Sequence, residues 1–246
     1  MNRNVIFWVL GAVLVGAVGL IGWLYFAGGS GEPTAELTTP TIATTTTTPT
    51  TEGTAEGTTT SAGDADETAF VIDQEQSQVS FEITEELEGS PNEVVGFTNA
   101  VVGQVLVDPA NPQTAQISEI VINARTFMTD DANRDRVIRG PVILNSASDE
   151  FELITFQPTA IEGLEGPIEV GEEVEFTVTG PLTIKGVMSE TSFDVTATLV
   201  DESTIQGVAQ TVVQRSDFDI GIPNVPNVAD VSEEVTLVLD FVAVAG

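Results

Sequence analysis

Four stretches of this chain alternate apolar and polar side chains with a period of two. Val79, Phe81 and Ile83 alternate with Ser80 and Glu82, and Val174, Phe176 and Val178 alternate with Glu175, Thr177 and Thr179. Phe193, Val195, Ala197 and Leu199 alternate with Asp194, Thr196 and Thr198, and Val235, Leu237, Leu239 and Phe241 repeat the pattern near the end. A strand turns successive side chains to opposite faces, so each run predicts a half-buried β-strand. Asp108-Pro109, Asn111-Pro112, Gly166-Pro167, Gly180-Pro181 and Gly207 read as turns between such strands. One-faced strands with short connections predict an all-β fold, an antiparallel sandwich or barrel. One short helix is predicted around Asp130 to Ile138, with Asp130 or Asp131 as N-cap and Pro141 soon after its end.

The first 68 residues follow other patterns. Residues 5–27 carry no charged side chain. At about 1.5 Å per residue they form a helix of roughly 34 Å, enough for a hydrocarbon core of about 30 Å. Trp8 at one end, and Trp23 and Tyr25 at the other, stand where interfacial aromatics belong. Arg3 is the one basic side chain before the span, which predicts a cytoplasmic N-terminus. Cleavage after Ala27 would put Tyr25 where signal peptidase needs a small residue, so residues 1–27 read as an uncleaved transmembrane signal-anchor. Residues 28–68 are Thr- and Pro-rich without apolar periodicity, and read as a disordered, solvated stalk. Residues 69–246 form the β-domain, expected outside the membrane in an extracellular or periplasmic space.

Charge and composition remove several function classes. There are 38 acidic and 7 basic residues, for a net charge of −31. Nucleic-acid binding needs clustered Lys and Arg, and this chain offers the reverse. It has no Cys and no His. Thiolate and imidazole catalysis, Cys- or His-ligated metals and disulfides are therefore excluded. Asp131, Asn133 and Asp135 have calcium-loop spacing, but Arg136 occupies the position where such loops need Gly. No metal site is expected. Paired carboxylates could hydrolyse glycosides, yet no spacing singles out a pair.

In order and spacing, four segments resemble the YceI-like family. They are FVIDQEQSQVSFEI (Phe70–Ile83), TFMTDDANRDRVI (Thr126–Ile138), GPLTIKG (Gly180–Gly186) and QRSDFDIGIP (Gln214–Pro223). Arg134-Asp135 matches the family's Arg-Asp pair. Gln76 and Lys185 stand where the family commonly has His, and Val137-Ile138 where it usually has His-Leu. Any family role that requires imidazole is thus missing here. The resemblance implies an extended, lipocalin-like antiparallel barrel with its helix over an opening and an amphiphilic, polyisoprenoid-type lipid inside.

On that footing the chain is expected to be a membrane-tethered, extracytoplasmic carrier of an isoprenoid or similar long-chain amphiphile. It is not expected to be an enzyme, and no cofactor is expected beyond such a bound lipid. The alternative is a structural or adhesive display domain with a filled barrel. Candidate ligand contacts are the apolar Phe81, Phe97, Phe127, Ile138, Phe156, Phe176, Ile184 and Phe193. Arg134 and Arg136, with Arg139 nearby, are candidates for a phosphate or carboxylate head at the mouth, because a guanidinium presents a rigid fork of donors. Gly89–Glu93 and Asn224–Asp230 read as loops at a barrel end.

Overall fold

The computed structural model describes residue 33 and residues 36–42, 67–223 and 228–246. The apolar run at 5–27 and most of the expected stalk lie outside them. Among the described residues no helix is long and apolar enough to cross a membrane. Residues 36–42 carry no regular secondary structure, and the Ile42 N–H donates to Gln104 Oε1 at 3.2 Å.

The fold is all-β with one α-helix. Its strands are β1 (Thr68–Ile72), β2 (Gln78–Leu87), β3 (Ser90–Thr98), β4 (Val101–Val102), β5 (Gln104–Val107), β6 (Gln116–Ile117) and β7 (Ile120–Asn123). After α1 (Ala132–Arg139) come β8 (Leu153–Phe156), β9 (Ala160–Glu162), β10 (Glu173–Ile184), β11 (Val187–Asp201), β12 (Thr204–Gln214), β13 (Val228–Ala229) and β14 (Glu234–Ala245). All four alternating runs lie within strands. The loop expected at Gly89–Glu93 is instead mostly strand, since β3 begins at Ser90 and pairs with β2. The tight turn there is Glu88-Gly89, both at positive φ, and Lys185-Gly186 closes the β10–β11 hairpin in the same way. Two positive-φ residues form the turn whose twist matches that of the flanking strands.

The ladder runs β4-β7-β8-β10-β11-β12-β14. Two strands then share the far edge of β14: Thr236–Asp240 pairs with β2, and Ala243–Ala245 with β1. Ser77 sits at the break between them, its hydroxyl accepting from the Val242 N–H at 3.0 Å. β2 pairs with β3, β3 leads through Asn99-Ala100 into β4, and β4 pairs back onto β7. The sheet therefore curls round into an antiparallel barrel. β1, β5 and β6 extend one end of it.

Alternation places one face of each long strand inside. Val178, Leu182 and Ile184 of β10, and Val195 and Ala197 of β11, are buried in one core with Phe127, Phe156 and Phe218. At Gly96 a Cβ would stand 2.2 Å from the Phe81 ring, so this position must be glycine for Phe81 to lie across β3. Phe81 in turn packs 5.6 Å from Phe127, centroid to centroid.

Candidate functional site

The inward side chains do not fill the barrel. They leave a cavity of about 210 Å³. The wall is aliphatic and aromatic, and Thr198 is the one polar residue on it. Along β10 the lining runs from Val174 to Ile184. Ten residue steps at about 3.3 Å make this roughly 33 Å of strand. The cavity is a long, narrow bore.

The two ends of the bore differ. Around one end lie α1, the β10–β11 hairpin and the 3₁₀ turn Arg215–Phe218. There Ile138, Leu144 and Phe218 are buried against the core, and none of them lines the cavity. At the other end the wall is formed by Pro109, Leu164 and Ile168, which are only half-buried. The bore meets solvent there. Two backbone hydrogen bonds fix this rim, Ile168 N–H to Pro109 O at 2.8 Å and Gly171 N–H to Leu199 O at 2.7 Å.

The helix is set by its cap. Asp131 accepts from the N–H groups of Asn133 and Arg134 at 2.7 and 2.9 Å. These bonds, that of Arg134 foremost, hold its carboxyl below the ordinary 3.8. Buried Asp135 accepts from the Thr129 N–H and hydroxyl, both at 2.7 Å. Beneath the helix lies Arg125, 3% exposed, which sequence reasoning missed. It donates to Glu152 at 2.8 Å, Asp149 at 2.6 Å, and the carbonyls of Ser146 and Ala147. Asn123 donates to the other Glu152 oxygen at 2.9 Å. This cluster ties β7 to the segment leading into β8. An arginine one residue before the helical motif carries no sequence signal of burial.

Of the ten candidate residues, five line the bore: Phe127, Phe156, Phe176, Ile184 and Phe193. Phe156 and Phe193 meet edge to face at 4.9 Å. Phe81 packs against the core beside the lining, and Ile138 belongs to the closed end. Phe97 corrects the inward reading. Its neighbour Gly96 faces the Phe81 ring, so alternation turns Phe97 to the outer face, where its backbone bridges Met128. The arginines stand at the closed end. Arg134 pairs with Asp130, and with Glu85 at 3.7 Å. Arg139 donates to the Arg125 and Asp135 carbonyls at 2.9 and 3.2 Å, and Arg136 is exposed. The helix lies over one end of the barrel, as expected, but it closes that end. Arg215 braces its turn through Glu233 at 2.7 Å and the Ser232 and Ile220 carbonyls. Among the described residues no group of acidic side chains is arranged to hold a metal ion.

A comparison with curated proteins found no match. Among solved structures, BcnA of Burkholderia cenocepacia is similar at 24% identity and a TM-score of 0.53, over 70% of this chain and 98% of that one. A polyisoprenoid-binding domain from Saccharophagus degradans, implicated in plant cell wall breakdown, aligns at 14% identity with a TM-score of 0.57, over 73% of this chain and 99% of that one. Both chains are matched over almost their whole length. A family model described as the YceI-like domain matches residues 70–243, and this chain belongs to that family.

Proposed function

We propose that this protein is a membrane-tethered, extracytoplasmic carrier that holds an isoprenoid or similar long-chain amphiphile in its barrel. The observation that carries the reading is the bore itself, some 33 Å of wall with one polar residue. Such a wall offers a hydrocarbon chain burial worth roughly 25 cal/mol per Å² and offers a reacting group no acid, base or nucleophilic pair. The reading is therefore binding and not turnover. The polyisoprenoid-binding relative from Saccharophagus degradans supports the ligand class. The charge-free run at 5–27 supports the tether, and Arg3 before it supports the outward orientation of the barrel.

The test is uptake by residues 33–246 after delipidation. Offered solanesol, a nine-unit polyprenol, the domain takes up one molecule per chain and saturates. A chain that takes up none overturns this reading in favour of the display domain.

A further inference from the structure

The chain's basic residues are distributed unevenly along the barrel axis. Beyond Arg3 there are six: Arg125, Arg134, Arg136, Arg139, Lys185 and Arg215. Every one stands at the closed end, on or beside α1, in the β10–β11 hairpin or in the turn after β12. Five of them are engaged there, with Lys185 donating to the Val142 carbonyl at 3.0 Å and the arginines bonded as described. Arg136 is exposed on the helix, and no residue of α1 reaches the bore.

The open end carries the opposite sign. Glu162, Glu165, Glu169, Glu172 and Glu173 are all exposed on the segment whose Leu164 and Ile168 form the rim. The backbone bonds to Pro109 and Leu199 hold this segment over the opening. An amphiphile entering tail first leaves its head at this rim. An amphiphile entering head first must drag its head through an apolar wall, which for an ion costs many kcal/mol.

We infer that the cavity accepts amphiphiles with an uncharged polar head, such as an alcohol, ketone or amide, and discriminates against phosphate and carboxylate heads. This rests on the carrier reading and narrows it. An anion at the rim meets a segment carrying five exposed glutamates, with no Lys or Arg anywhere in residues 140–184 to offset them. A neutral head carries no charge for these carboxylates to repel.

The experiment compares geranylgeraniol with geranylgeranyl diphosphate on residues 33–246, two probes with one tail. The alcohol binds at least about tenfold more tightly at 20 mM salt, and the ratio shrinks toward unity at 1 M salt. Equal or tighter binding of the diphosphate overturns this inference and leaves the carrier reading standing. Failure of both probes to bind sinks the carrier reading and this one with it. The E165K/E169K variant, both changes on exposed positions, raises diphosphate affinity and leaves the alcohol unchanged. Diphosphate affinity that does not move in this variant removes the rim charge as the cause, and the inference falls.

Discussion

Blocking the bore near its open end separates a ligand channel from a core that is merely loosely packed. Ala209 is the place to do it. In the row Phe176, Val195, Ala209, Leu239, Val79, read across five paired strands, it is the one small side chain, and it lines the cavity. A209F projects a ring into open space between neighbours about 5 Å away. It fills a void and displaces few packed atoms, so its stability cost stays below the roughly 1–3 kcal/mol typical of overpacking. Its effect on binding is larger. Each methylene kept out of the bore forfeits about 0.8 kcal/mol, so excluding only three costs about 2.4 kcal/mol, or about 50-fold in Kd. Most of the bore, from the Phe176 row to Ile184, lies beyond the block. The assay is titration of solanesol by calorimetry, with Q210F as control, since Gln210 faces outward and is exposed. Undiminished affinity in A209F, with the fold intact, refutes a ligand threaded past this row.

Three further changes test the framework. R125M removes the guanidinium paired with Glu152, whose side chain is 4% exposed, and leaves a buried carboxylate that keeps Asn123 but loses that cation; urea unfolding shows a loss of about 3–5 kcal/mol. G180A places a Cβ 2.1 Å from the Gln157 carbonyl oxygen, so the β8–β10 crossing must shift, at a cost of about 3 kcal/mol in the same assay. Acid destabilises the domain. Asp108, through the Asn111 side-chain amide, and Asp131, through the Arg134 and Asn133 N–H groups, have carboxyls held below the ordinary 3.8. Their folded-state values are depressed, so their stabilisation is fully present above 3.8 and is lost as the pH falls through the lowered values. With no His in the chain, Tm is flat from pH 6 to 8 and falls below about pH 4; a Tm that rises on acidification to pH 3 contradicts this.

Where side chains repeat along a regular backbone, the sequence was readable. Period two located β2, β10, β11 and β14 because apolar and polar side chains alternate along each, most regularly in β10 and β11, which bury a single face. Helix α1 was legible from Asp131 as a cap and from Pro141 soon after its end. The failures came from tertiary context. Phe97 looked like its aromatic neighbours, but its facing depends on the register that sets Gly96 against Phe81, and register is a pairing between strands. Pro109, Leu164 and Ile168 line the bore from irregular segments, where no period exists to flag them. The helix lying over a barrel end suggests a mouth for its arginines, but which end is closed depends on Ile138, Leu144 and Phe218, the last far from the others along the chain, entering one core. Arg125 was invisible for the same reason, its carboxylate partners lying 24 and 27 positions away.

The central claim is that the bore is occupied by a long-chain amphiphile. Native mass spectrometry of residues 33–246, purified gently from cells and then extracted with organic solvent, addresses it most directly. The account predicts a stoichiometric mass excess that extracts as a long-chain species with an uncharged head. A clean apo mass, with no solanesol taken up afterwards, would contradict it and leave a filled barrel displayed on a stalk.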